Sequence, residues 1–130
     1  MYDDLQPHTT GGLLASLTRS HVDSLAELSK SYPQVPSDYV SFLQTLGWGE
    51  IGSSAFMLYE GLLAPGQIYA DEDDSLAGIV LFGDDLQGYC CGFDTLKGWE
   101  VVEIDPVSRT AHAVADSFSS FIRDLLDDLA

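Results

Sequence analysis

Three observations predict an α+β fold. Apolar positions recur at helical spacing near both ends of the chain, the middle breaks into short apolar runs, and the loops between those runs are too short for parallel crossovers. The expected architecture is a curved antiparallel β-sheet, a meander of about five or six strands, packed with N-terminal helices and a C-terminal helix. At 130 residues the chain is long enough for one core and one domain, 1–130, with the core over roughly 20–125 and a mobile tail over 1–12.

Helical spacing opens the case. Leu14, Leu17, Val22, Leu25 and Leu28 predict one interrupted helix or two short ones over 13–31, with Ser20 and Asp23 placed to cap a second start. Pro33 and Pro36 end that segment. Ser37 is the expected N-cap of a helix carrying Tyr39, Phe42, Leu43 and Leu46, which Gly47 closes in a left-handed conformation. Near the end, Asp116 is the expected N-cap of a helix with Phe118, Phe121, Ile122, Leu125 and Leu129 on one stripe and Asp124, Asp127 and Asp128 on its polar face.

Between these helices the texture changes to strands at 55–59, 79–82, 89–93, 99–104 and 111–115. The last four are joined by short turn-rich loops, so they pair as an antiparallel meander in which 79–82 and 89–93 are neighbours. The run Ile79-Val80-Leu81-Phe82 is apolar at every position, which predicts a strand covered on both faces. The cluster Gly47-Trp48-Gly49-Glu50-Ile51-Gly52 reads as a chain reversal with its aromatic turned into the core. Trp48, Phe82, Phe93, Phe118 and Phe121 are all expected to be largely buried.

Charge narrows the function classes. Five Lys and Arg stand against 21 Asp and Glu, for a net charge of -16. Phosphate-mediated nucleic-acid binding and adsorption to an anionic membrane are both opposed by that balance. Residues 49–105 alone carry twelve acids and one base, so a partner drawn by charge is basic and is sought there. No run approaches the roughly 20 apolar residues of a membrane span, and the N-terminus lacks a basic segment leading into an apolar one, which predicts a cytoplasmic protein.

The residues that carry chemistry elsewhere are sparse here. His8, His21 and His112 have no nucleophile or orienting acid beside them in sequence. Cys90 and Cys91 are adjacent, so in a strand they point to opposite faces; they form neither a disulfide framework nor a zinc half-site and read as small buried hydrophobes. The run Asp71-Glu72-Asp73-Asp74 suggests calcium, but the loop pattern needs Gly at its sixth position and Glu at its twelfth, where Leu76 and Phe82 stand. No metal and no cofactor are therefore expected. Surface carboxylates for a small hydrolase are too abundant to single out a pair.

The order of motifs carries a resemblance. Val35-Pro36-Ser37-Asp38-Tyr39, Phe42-Leu43 and Gly47-Trp48-Gly49-Glu50 resemble the N-terminal signature of the SUKH superfamily, the Smi/Knr-like domains. Its C-terminal half is matched by Ile79-Val80-Leu81-Phe82-Gly83-Asp84-Asp85, Gly88-Tyr89, Gly92-Phe93-Asp94, Val101-Val102-Glu103-Ile104-Asp105 and Ser117-Phe118-Ser119-Ser120-Phe121. Val35 stands in place of the usual Leu, and Trp48 where many members have Gly, which points to a bacterial subgroup. The resemblance implies an α+β fold without catalytic residues. For bacterial members it implies immunity proteins that neutralise polymorphic or contact-dependent toxins, often nucleases.

Residues and resemblance together predict a protein-binding, non-enzymatic, antitoxin-like chain whose partner is a basic toxin domain. The alternative is a regulatory or scaffold domain of the same fold without a toxin partner, and the second alternative is a small hydrolase using surface carboxylates. Oligomeric state is left open. The candidate contact residues are Glu50, Glu60, Asp71, Glu72, Asp73, Asp74, Asp84 and Asp85, which fall in or beside the expected turns.

Overall fold

The computed structural model describes residues 12, 14–19, 21–52, 55–63, 78–108 and 110–129. Along them run α1 (Val22–Ser31), α2 (Ser37–Thr45), β1 (Gly49–Ile51), β2 (Phe56–Leu63), β3 (Ile79–Asp84), β4 (Cys90–Asp94), β5 (Glu100–Ile104), β6 (Ala111–Ala115) and α3 (Phe118–Leu129). The expected tail, apart from Gly12, and the run Asp71-Glu72-Asp73-Asp74 lie outside the described residues.

The strands form one six-stranded sheet in chain order, each antiparallel to the next, so the α+β meander predicted by the short loops is the fold of the chain. Val80 faces Phe93 and Leu81 faces Gly92 across β3 and β4. Register shifts interrupt the ladders between β2 and β3, β3 and β4, and β5 and β6, the bulges that bend and twist a sheet locally.

β1 is the element that the sequence patterning missed. Three residues are too few to show an alternation, yet Ile51 is fully buried and pairs with Phe56. The preceding Trp48 bridges to Thr18 through two backbone bonds of 2.8 and 2.9 Å. That bridge explains Gly47: its φ is 111°, and a Cβ there would overlap the Thr18 carbonyl.

Three expected caps are corrected. Pro36, not Ser37, precedes α2, and no side chain caps that helix. Asp38 sits one residue inside, where its Oδ1 accepts a bond of 2.8 Å from the Tyr39 N–H while its Oδ2 accepts one of 2.9 Å from the Ser119 N–H. α3 is capped by Ser117 rather than Asp116, with Ser117 Oγ accepting the Ser120 N–H at 3.2 Å. In α1 the N-cap is His21, with no side-chain bond, and Val22 is 74 % exposed, so the apolar stripe narrows to Leu25 and Leu28. Residues 14–18 form a turn and bridge instead of a first helix.

All three helices contribute to the core on one face of the sheet, against Leu58, Val80, Phe82, Cys91, Phe93 and Val101. The opposite face carries a second apolar cluster of Ile79, Leu81, Cys90, Val102 and Ile104, flanked by Tyr59 and Ala111. β3 is thus buried on both sides, as its unbroken apolar run predicts. Phe82, Phe93 and Phe118 are fully buried, whereas Trp48 and Phe121 are partly buried and pack at the margin of the helix-side core.

Tyr39 is fully enclosed, and its hydroxyl finds no hydrogen-bond partner among the described residues. Burial pushes its phenol well above the usual range. Leaving a buried hydroxyl unpaired costs more than the group returns, so Tyr39→Phe should raise the unfolding free energy by about 1 kcal/mol in urea titrations, at an unchanged m-value. Asp38→Ala should lower it by about 1–3 kcal/mol, since two backbone N–H groups lose a charged acceptor.

Candidate protein-binding surface

The acids predicted to form one face are divided by the sheet. Glu50 in β1 pairs with Met57, and Met57 pairs with Asp84 at the end of β3, so Glu50 and Asp84 share the face away from the helices. Strands lie about 4.8 Å apart, which places these two backbones roughly 10 Å from each other. Glu60 leaves β2 on the other side, toward α1, with Leu58 and Leu62 of the helix-side core as its neighbours along the strand. Asp85 lies in the β3–β4 turn. Asp71, Glu72, Asp73 and Asp74 lie outside the described residues.

Two of the candidates are occupied by the chain's own backbone. Asp84 Oδ2 accepts the Tyr59 hydroxyl at 2.7 Å and its Oδ1 accepts the Leu86 N–H at 2.8 Å. Asp85 Oδ1 accepts the N–H groups of Gln87 and Tyr89 at 2.8 and 3.1 Å. Asp94 and Asp105 behave alike: Asp94 takes the Leu96 N–H, and Asp105 takes those of Val107 and Ser108. A short carboxylate that bonds backbone two or three residues on is turn chemistry. Part of the acid in the middle of the chain is therefore spent on closing hairpins.

Hydrogen bonding from the Ser108 and Val107 N–H groups holds the Asp105 carboxyl below the ordinary carboxylate range. A depressed carboxyl adds stability above its unfolded pKa and loses it as the pH falls through the folded one, so this turn loosens in acid. Tyr59 shifts the other way. Burial first, and its bond to Asp84 second, hold its hydroxyl protonated far above the usual phenol range.

The two cysteines are withheld from solvent. Cys90 and Cys91 are both free and buried, on opposite faces as their adjacency predicts. Burial, then the charges of Glu103 and Asp85, push the Cys91 thiol well above its normal range, away from nucleophilic thiolate. His112 is exposed on β6 and shares a 3.2 Å hydrogen bond with Thr110 Oγ1. Among the described residues no three His, Cys, Asp or Glu are grouped to hold a metal ion, and no helix is long and apolar enough to cross a membrane.

What the structure adds is a groove between α1 and β2. Asp23 and Glu27, one helical turn apart on α1, face Glu60 across it, above an apolar base that includes Leu28 and Leu62. Its volume is about 480 Å³, and no Lys, Arg or His is among the described residues that line it. Sequence reading placed Glu60 in the contact set but not Asp23 or Glu27. The available signal was their i, i+4 spacing on the helix, which shows a shared face without showing what lies opposite.

Comparison with protein-family models, with curated proteins and with solved structures returned no match.

The double duty of Asp85 can be separated by substitution. Asp85→Asn keeps the Oδ1 acceptor and removes only charge, whereas Asp85→Ala also frees two N–H groups. In chemical denaturation the Ala variant should be less stable than the Asn variant by roughly 0.5–1.5 kcal/mol.

Proposed function

We propose that this chain is a SUKH-type immunity protein that acts in the cytoplasm, binding a basic toxin domain, such as a nuclease, and occluding its active cleft. The observation that carries the proposal is the groove between α1 and β2, where Asp23, Glu27 and Glu60 converge with no cation among the described lining residues, in a chain of net charge -16. A nuclease cleft attracts phosphate through basic side chains, and an acidic surface can occupy the same cleft with electrostatically accelerated association.

Two further features support the reading. The ordered motifs from Val35 to Phe121 resemble the SUKH pattern, and the six-stranded antiparallel sheet with flanking helices agrees with the α+β fold that the resemblance implies. The titratable groups favour binding over catalysis, since the Cys91 thiol is buried and held neutral while His112 leans on a surface threonine. Carboxylates arranged around an open groove recognise cations; without a poised nucleophile or base they do not by themselves turn a substrate over.

The test is stopped-flow association with the basic toxin domain encoded by the neighbouring gene, at two or more ionic strengths. Neutralising the groove (Asp23→Asn, Glu27→Gln, Glu60→Gln) should slow association roughly tenfold at low salt and flatten the salt slope. The Asp84→Asn and Asp85→Asn pair should have the smaller effect, and neutralising Asp71 to Asp74 measures the share of that run. Absence of binding, or unchanged rates and slopes in every variant, would refute the proposal and assign the acid to solubility.

A further inference from the structure

α1 ends at Ser31, and the chain turns through Tyr32, Pro33 and Gln34 before α2. Ser31 and Tyr32 line the acidic groove on one side of this corner. The same two residues also line a separate cavity of about 450 Å³ on the other side. The groove and the cavity therefore adjoin across the end of α1, which supplies a wall to each.

The two halves differ in chemistry. The groove carries three carboxylates, whereas no charged side chain is among the described residues that line the cavity. Its walls include Tyr32, Pro33, Ile79, Val80 and Trp99, with the polar groups of Ser31, Gln34 and Thr95 among them. Tyr32 and Trp99 meet edge to face, 6.1 Å between centroids at 81°. Two perpendicular rings beside a proline form an aromatic corner, suited to the faces and edges of a third ring.

The backbone holds that corner open in an uncommon way. Trp99 has φ 62°, a left-handed conformation that bulky side chains rarely adopt. Its N–H bonds the Asp94 carbonyl at 2.9 Å, and its ring lies against Phe93 at 5.7 Å. Across the cavity, Thr95 ties the turn to Gly78 through its N–H and its hydroxyl, both bonded to the Gly78 carbonyl. A strained residue held from both sides marks a place where side-chain position matters more than local backbone preference.

We infer that the cavity and groove form one docking site for a basic polypeptide segment that presents an aromatic side chain next to a lysine or arginine. The aromatic ring enters the corner between Tyr32 and Trp99, and the cation lies against Asp23, Glu27 and Glu60. Charge complementarity selects this occupant: three carboxylates adjoin an aromatic cavity with no charged side chain among its described walls, and buried aromatic anchors beside charged rims are the arrangement that dominates protein interfaces. The inference rests on the protein-binding reading above and specifies the partner chemistry that its surface takes.

The experiment is titration of the isotope-labelled protein with three blocked peptides, Ac-Lys-Trp-Lys-NH2, Ac-Lys-Ala-Lys-NH2 and Ac-Glu-Trp-Glu-NH2, followed by amide and indole chemical shifts. The Lys-Trp-Lys peptide should move the signals of Ser31, Tyr32, Gln34, Thr95 and the Trp99 indole. Both controls should bind at least about tenfold more weakly. Glu27→Gln with Glu60→Gln should weaken Lys-Trp-Lys several-fold and remove its salt dependence. Trp99→Ala risks unfolding, so Ser31→Trp, at an exposed helix end, is the blocking variant and should abolish the shifts. Unmoved cavity signals, equal affinity for all three peptides, or undiminished binding to Ser31→Trp would each overturn the inference. These outcomes are read without any toxin, so a failed toxin measurement and a failed docking site are told apart.

Discussion

Tyr39 of α2, Phe82 of β3, Phe93 of β4 and Phe118 of α3 are fully buried and in mutual contact, with all six centroid pairs between 5.0 and 6.4 Å. The tetrad joins four elements spread over most of the chain, and the other helix-side contacts are arranged around it. α2 and α3 meet there, Phe42 and Phe121 extend it on either side, and Trp99 stacks against its Phe93 edge. Aromatic side chains each bury a large area and favour tilted or edge-to-face approach, which fixes relative orientation as well as distance. The unpaired Tyr39 hydroxyl is a cost that this packing tolerates.

Asp38 supplies the polar counterpart. It stands beside Tyr39 in sequence, and its second carboxylate oxygen reaches Ser119, beside Phe118. Adjacent residues on α2 therefore hold adjacent residues at the start of α3, one pair by ring contact and one by a charge-assisted bond at a helix N-terminus. With α2 and α3 fixed over the centre of the sheet, α1 is left against β2, and this position creates the acidic groove. The groove is thus a consequence of how the core is closed, not an appendage to it.

Periodicity made much of the fold legible. The unbroken run in β3 predicted a strand covered on two faces, the short turns predicted a meander, and the stripe ending in Leu129 predicted α3. What escaped was set through space. Ser119 lies 81 residues from Asp38, and no pattern around Ser37 or Asp116 reveals that the helix start is held from another helix. β1 is too short to alternate, and Trp99 lies just outside the strand in which alternation placed it, in a conformation that only its tertiary contacts explain. The groove was half visible for the same reason: Glu60 was selected by its turn-flanking position, while Asp23 and Glu27 were separated from it by α2 and β1 in sequence.

The placement of acid shows that a charge census by segment does not separate carboxylates that close turns from those that face open space. Asp38, Asp84, Asp85, Asp94 and Asp105 all accept backbone N–H groups, which a one-carbon stem allows and the longer glutamate stem does less readily. Their charges add to the field of the molecule, but their geometry is committed to turns and helix starts. Glu27 and Glu60 in the groove stand on longer stems from regular elements, on opposite walls of an open space. Like charges held together in this way oppose folding and are tolerated only where packing supplies the difference; here Leu25 and Leu28 on α1 and Leu58 on β2 anchor the two walls from beneath. A field from the whole chain can accelerate the approach of a basic partner. The register in which such a partner would stop is set by where carboxylates adjoin apolar surface, an arrangement found at the end of α1, where Ser31 and Tyr32 wall both the groove and the aromatic corner.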